Sequence, residues 1–447
     1  MSHSPDPLDL LDDLISRARA AGADAADGVM FESASLSVSQ RLGESEGIER
    51  AESQDVGLRV FRGKRQAMVS STDIGEGALS ELIERALAMA AAAPEDPYCG
   101  LADAGRYATE FPELELCDDD EPTPETLTLR AAAAEDAARA VPGISNSEGA
   151  GASWGSTKIS LVTSAGFAAG YAVSSHSVSA SVIAGEGAAM ERDYDYATAR
   201  FAADLDDPET IGRNAGMRAV RRLNPKKASS GQMPVVYDWR IASGLLSNLA
   251  GAISGPAVAR GTSFLKDRLG EAVFAPGIVI TDDPRRLRGL RSKAYDGEGV
   301  ATSARNIIDD GVLTTWLLDS RSARQLGLET TGHASRGTSS PPSPGPTNLT
   351  LGPGAASPEA LIGAIEQGFL VTELIGMGVN PLTGDYSRGA SGFWIEQGEI
   401  THPVSEMTVA GNLADMFAHL TPADDLVIRR GIDAPTVRID GMTVAGA

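Results

Sequence analysis

The chemistry open to this chain is bounded first by its metal-ligating and nucleophilic residues. Its five histidines are His3, His176, His333, His402 and His419, and its two cysteines are Cys99 and Cys117. No two histidines stand three to five residues apart, so no helix presents paired imidazoles on one face, and a zinc site would have to be assembled from distant residues. Cys99 and Cys117 cannot build a disulfide framework or a thiolate finger, and such sparse use of cysteine suits a reducing cytoplasm. Gly151-Ala152-Ser153-Trp154-Gly155 fits the G-x-S-x-G nucleophile pattern. That chemistry needs a strand before the serine and a helix after it, whereas a strand pattern follows here. Ser263-Phe264-Leu265-Lys266 matches S-x-x-K without its K-T-G or S-D-N companions. Gly57 and Gly63-Lys64 are one residue too far apart for a phosphate loop, and Gly185-Glu186-Gly187 lacks the third glycine of a dinucleotide fingerprint. His333 is the histidine with the least obvious structural explanation.

The elements that would position these residues are legible in outline. Asp6-Pro7, Thr123-Pro124, Asp207-Pro208 and Ser357-Pro358 each place a capping side chain before a proline at the first helical position. A further helix is expected over 78–92, with Leu79, Leu82, Ile83, Ala86 and Leu87 on one face. Alternation marks strands at Leu36–Val38 and Val56–Val60, and a meander over 157–183 whose Ser175, Ser177, Ser179 and Ser181 share one face. Hairpins are expected at 307–313 about Asp310-Gly311, at 393–400 about Gln397-Gly398, and at 437–442 about Asp440-Gly441. Residues 335–354 carry five prolines and four glycines and read as one long loop. The fold class is α+β: a helix and antiparallel-sheet region, then a hairpin-rich, mostly β part with a few helices.

The 447 residues suit two or three domains, given roughly 150 residues per domain. The expected boundary lies near 224–231, dividing 1–226 from 227–447, with a softer subdivision near 105–125. Residues 110–121 hold seven acids and no base and read as a solvated loop; the cations crowding 213–227 suit a helix C-terminus. The net charge of −23 disfavours a nucleic-acid partner, because phosphates require a basic footprint. The acidic start of the chain and the absence of a long apolar run lead to an expectation of no signal peptide, no membrane association and a cytoplasmic location.

The second half also carries an ordered series of motifs. Asp296-Gly297-Glu298-Gly299 is followed by Leu318-Asp319-Ser320-Arg321-Ser322-Ala323 and Thr331-Gly332-His333-Ala334-Ser335-Arg336. Then come Thr383-Gly384-Asp385-Tyr386-Ser387-Arg388-Gly389-Ala390-Ser391-Gly392, Gly398-Glu399-Ile400-Thr401-His402-Pro403 and Ala410-Gly411-Asn412. The series resembles the TldD/PmbA family, strongly over about 230–447 and more loosely before it. The resemblance implies a zinc peptidase made of two paralogues, one bearing HExxxH on the helix that opens the C-terminal domain and one, the PmbA or TldE branch, lacking it. By that resemblance Ser247 and Ala252 stand where zinc histidines would be and Asn248 where the catalytic glutamate would be. Alanine has no donor atom, serine is a poor ligand and asparagine is no general base. The family's cysteine ligand near the C-terminus has no counterpart beyond Cys117.

The resemblance thus implies a chain without catalytic or metal residues and without a cofactor of its own. Zinc is expected in a TldD-like catalytic partner, and homodimerisation in the isolated chain. It further implies unfolded peptide substrates and the description of such proteins as modulators of DNA gyrase. Gly376, Gly378, Thr383, Gly384, Asp385, Arg388, Ser391 and His333 are the expected peptide-groove residues, in loops over 376–392. Two alternatives stay open: a stand-alone metallopeptidase using His333 or His402 with carboxylates, and a peptide-binding scaffold with no peptidase partner.

Overall fold

The computed structural model describes residues 6–446, so His3 lies outside the described residues. The proline-marked helix starts form as their chemistry dictates. Asp6 accepts from the Leu8 amide, Thr123 from Thr126, Asp207 from Thr210 and Ser357 from Ala360. Each cap satisfies an otherwise orphaned N–H, an effect of about 1 kcal/mol.

The Ser357 cap opens a short helix over Pro358–Gly363 in the second half; the other three open α1 (Pro7–Ala20), α3 (Pro124–Arg139) and α4 (Pro208–Arg221), while α2 spans Glu76–Ala92. Helices α1 to α4 pack against a six-stranded antiparallel sheet of β1 (Ala25–Arg41), β2 (Glu44–Arg62), β3 (Arg65–Ser71), β4 (Ile144–Thr163), β5 (Ala168–Ala184) and β6 (Glu191–Ala199). The strand order is β3-β2-β1-β4-β5-β6. The helix side takes Met30, Leu58, Val178 and Val182; Ser175, Ser177, Ser179 and Ser181 alternate to the other side. On that other side, Val29, Leu161 and Phe167 pack against Tyr295 from the second half of the chain. Ser153 lies within β4 and hydrogen-bonds Ser177, so the G-x-S-x-G match is a strand with no elbow.

The second half builds a barrel. Its strands run in the order Glu399–Asn412, Asp385–Glu396, Gln367–Ile375, β7 (Gly231–Tyr237) and Val437–Ala445, and the last pairs back onto the first. Helix α5 (Trp239–Ala252) buries Leu245, Leu246 and Leu249 in the core that also holds Val235, Phe369 and Trp394. A second, five-stranded sheet of short strands includes Ile280–Asp282 and Arg305–Asp309.

Two of the three expected hairpins form. Asp310 and Gly311 have φ of 47° and 80°, and Gln397 and Gly398 have 51° and 80°, the pair of positive values that a type I′ turn needs. The third does not. Val437–Ala445 is one continuous strand, because only Gly441 (φ 79°) turns left-handed and creates a bulge between Ile439 and Met442. The bulge resets the alternation, so Val437, Ile439, Met442 and Val444 all face the core. The expected loop at 335–354 is also interrupted: Ala334–Ser335 pairs with Ser343–Pro344, and Leu349–Leu351 joins the five-stranded sheet. The acidic run is irregular, as expected, yet tethered: Glu115 pairs with Arg288 and Glu121 with Arg50.

Close backbone approach explains two glycines of α4. A Cβ at Gly212 would sit 2.0 Å from the Ala134 carbonyl, and one at Gly216 2.8 Å from that of Ala138. Helices α3 and α4 therefore touch through backbone. Gly212→Ala should lower stability by about 1–3 kcal/mol through overpacking, read as a lower midpoint in urea unfolding; an unchanged midpoint would contradict this packing.

Candidate functional site

Helix α5 begins at Asp238, whose carboxylate accepts from the Arg240 amide at 2.9 Å. Its apolar face is fixed in the barrel core, which sets the direction of every other side chain. Ser247 is exposed, Asn248 half-buried and Ala252 buried. Ser247 Oγ donates back to the Ser243 carbonyl at 3.2 Å. These three residues do not fit a zinc ion: alanine has no donor atom, serine is a poor ligand and here turns its hydroxyl onto its own helix, and asparagine is no general base. Among the described residues, no three His, Cys, Asp or Glu side chains gather as a ligand set.

The end of α5 is tied to the glycine-rich segment. Ser263 Oγ donates to the Ala252 carbonyl at 2.6 Å, and the Phe264 amide donates to the Pro381 carbonyl at 3.0 Å. The loop proper runs only from 376 to 384; residues 385–392 belong to a barrel strand, so the expected loops over 376–392 are half strand. The strand prevails because Gly392 admits its neighbour: a Cβ there would lie 1.9 Å from the Leu370 carbonyl. Within the loop, a Cβ at Gly378 would lie 1.7 Å from the Ser387 carbonyl, and Gly376 has φ 79°. Thr383 Oγ1 donates to Asp385 Oδ2 at 2.6 Å, Asn412 Nδ2 donates to the Thr383 carbonyl at 2.9 Å, and Arg388 Nε donates to the Ile375 carbonyl at 3.3 Å. Gly384 is buried beside Asn412. Gly376, Gly378, Thr383, Gly384, Asp385 and Arg388 thus share one corner of the barrel, whose tip, Met377, is 98% exposed. Ser391 lies inside the strand and His333 lies apart from the corner, both buried.

His333 belongs to a second locus, built from the D-G-E-G, L-D-S-R-S-A and T-G-H-A-S-R motifs. His402 lies within the strand Glu399–Asn412, its Nδ1 3.0 Å from Thr401 Oγ1. His333 Nδ1 is 2.8 Å from Thr331 Oγ1 and its Nε2 is 3.3 Å from Asp282 Oδ1, so both ring nitrogens are engaged. Burial would raise the Asp282 carboxyl, but His333 and Thr347 outweigh it and hold it below the usual range. Nearby, Asp27 of β1 joins the two halves of the chain. Arg59 Nε of β2 donates to its Oδ2 at 3.0 Å and Arg336 Nη1 to its Oδ1 at 2.8 Å. Burial again works to raise Asp27, and the two guanidinium groups prevail. Asp296 accepts from the amides of Glu298 (2.8 Å), Val300 (3.0 Å) and Ala334 (3.0 Å). Glu298 accepts from the Ser320 amide at 2.8 Å. The D-G-E-G, L-D-S-R-S-A and T-G-H-A-S-R motifs therefore form one buried polar network. The only signal in the sequence was polar residues sharing short motifs with glycine; nothing local pointed to Asp27 or Arg59.

Burial, reinforced by Asp296, pushes the Glu298 carboxyl up to about 7. A raised carboxyl holds its proton in the folded state at pH values where the unfolded chain has lost it. Its contribution is complete below the unfolded value of about 4.3 and is lost as pH rises towards 7. Glu298→Gln should remove that loss, so the stability gap between wild type and variant should change with pH between about 4.5 and 7 and level off above. Urea unfolding at pH 5, 6, 7 and 8 measures it; a gap independent of pH would refute the assignment.

Three family descriptions match the chain: the PmbA/TldA metallopeptidase domain 1 over residues 26–90, the central domain over 117–223 and the C-terminal domain over 230–446. The chain is 39% identical over 426 residues to "Metalloprotease PmbA" of Escherichia coli O157:H7, covering 95% of this chain and 93% of that one. It is also 39% identical to a Haemophilus influenzae homolog of that protein, covering 92% and 90%. A crystal structure from Bacteroides thetaiotaomicron, described as a candidate modulator of DNA gyrase, superposes with a TM-score of 0.90 at 28% identity over 99% of this chain and 100% of that one. TldE from Thermococcus kodakarensis has the same fold, with a TM-score of 0.86 at 23% identity over 98% and 100%. The chain therefore belongs to the PmbA/TldD metallopeptidase family, on its PmbA, or TldE, branch.

Proposed function

We propose that this chain is the subunit without a zinc site of a two-subunit metallopeptidase. It binds unfolded peptide and supports cleavage by a separate zinc-bearing, TldD-like partner. The observation that carries the reading is α5: the positions where the family resemblance expects HExxxH hold Ser247, Asn248 and Ala252, and the Ser247 hydroxyl is turned onto the Ser243 carbonyl of its own helix. The corner beside α5, with its glycine-built loop and exposed Met377, is a surface suited to another chain. The cytoplasm is the proposed location and a homodimer the proposed state of the isolated chain; no helix among the described residues is long and apolar enough to cross a membrane. With a net charge of −23, an effect on gyrase of the kind named for the structural relatives would act through proteolysis of a protein and not through DNA. The stand-alone peptidase reading, with His333 or His402 as ligands, lacks support: His333 has both ring nitrogens engaged inside the protein, and no group of three His, Cys, Asp or Glu gathers around His402 among the described residues.

Metal analysis of the purified chain should find far less than one zinc per chain, and an HExxxH-bearing relative should co-purify from the source cells. Stoichiometric zinc without a partner would overturn the reading. In the reconstituted complex, Asn248→Ala should leave peptide cleavage within about two-fold of wild type, because on this reading Asn248 lies away from the partner's zinc and makes no contact that strengthens in the transition state. Abolished cleavage with intact assembly would show that α5 takes part in the chemistry.

A further inference from the structure

A cavity of about 300 Å3 lined by several arginines stands out in this acidic chain. One wall is Tyr196 to Arg200, five consecutive residues at the end of β6. Successive residues of a strand point to opposite faces, so a cavity lined by all five runs along the strand edge. Among the described residues β6 pairs only with β5, which leaves that edge unpaired. The opposite wall is formed by segments 286–290 and 427–431.

Five arginines and two aspartates line the cavity. The aspartates serve two of the arginines: Arg288 pairs with Asp204, and also with Glu115, while Arg429 pairs with Asp206. The other three, Arg200, Arg286 and Arg430, have no carboxylate within ion-pair distance among the described residues, although the chain has 61 acids to 38 bases. Arg200 is 8% exposed and spends its donors on the carbonyls of Ser174, Gly289 and Leu290. Arg286 Nη2 donates to Thr350 Oγ1 at 3.1 Å, and its Nη1 has no partner. Arg430 lies over Tyr196 at 4.4 Å and Trp239 at 5.4 Å and donates to the Arg240 carbonyl. The buried Asp433 turns its oxygens to the amides of Arg429, Arg430 and Gly431. Two guanidinium groups without a carboxylate partner, Arg286 and Arg430, beside the buried charge of Arg200 in a partly desolvated slot make a site for an oxyanion. Leu287, Val427 and Ile428 are 57%, 51% and 45% exposed at its rim and favour an acid carried by an apolar neighbour.

We propose that this slot receives an acidic side chain of a bound peptide, with the flanking apolar residues of that peptide on the Leu287–Ile428 rim. It would give the chain a preference for acidic segments. The inference rests on the peptide-handling reading above and names the class of peptide preferred.

The test uses the isolated full-length chain and two labelled hexapeptides, one with glutamate between valines and one with glutamine in its place, followed by fluorescence anisotropy. The glutamate peptide should bind at least about ten-fold more tightly, from loss of a charge-assisted hydrogen bond in the other, and its binding should weaken with added salt. Arg286→Gln should abolish the difference; Arg430→Gln is the second variant, each checked for folding by circular dichroism. Equal binding of both peptides, no binding of either, or saturable binding of inorganic phosphate without either peptide would overturn the proposal. No zinc or partner enters this assay. A glutamate preference in a chain that never associates with a TldD-like protein would therefore refute the subunit reading and leave the slot standing.

Discussion

Asp27 is the contact on which the arrangement of the two halves depends. Its carboxylate, on the first strand of the N-terminal sheet, receives Arg59 from the neighbouring strand and Arg336 from the second half. All three side chains are at most 4% exposed. Removing one partner of such a set leaves a buried charge uncompensated, which is far costlier than the set's net contribution. The triad therefore fixes position more than it adds stability. Around it, the Asp296, Glu298 and Ser320 hydrogen bonds and the Phe167–Tyr295 ring contact at 5.0 Å follow from the same closure. Gly57 completes it: a Cβ there would lie 2.4 Å from the Thr338 carbonyl, so the sheet can receive the 335–342 segment only at a glycine.

That closure separates three surfaces. The barrel holds α5 and the glycine corner on one side of the second half. The polar junction is buried between the halves, beside a cavity of about 230 Å3 lined by Lys293, Asp296 and Arg336. The end of β6 and the 286–290 and 427–431 segments meet as the arginine-lined slot. The motifs that carry the family resemblance divide among these places. T-G-D-Y-S-R builds the corner, whereas D-G-E-G, L-D-S-R-S-A and T-G-H-A-S-R build the buried network. Motif conspicuity in this chain thus marks architecture as readily as chemistry. The histidine with the least obvious explanation, His333, is held by Thr331 and Asp282 as an internal tie.

What the sequence by itself determined was local. Proline-marked caps, apolar periodicity and paired positive-φ turn residues specify helices and hairpins through contacts a few residues apart, and those formed at Asp6, Thr123, Asp207, Ser357, Asp310 and Gln397. That α5 carries Ser247, Asn248 and Ala252, none of them a usual zinc ligand, is likewise a matter of residue identity. Tertiary structure decided the rest. Whether Asp440-Gly441 turns a chain or bulges a strand depends on what pairs with it, and β7 on one side demanded a continuous strand. Whether 385–392 is loop or strand depended on Gly392 meeting Leu370. The pairing of Asp27 with Arg336, 309 residues apart, and the isolation of Arg286 and Arg430 from the chain's many acids arise only when distant segments meet. Charge compensation is a property of three-dimensional neighbours, and no local pattern encodes it.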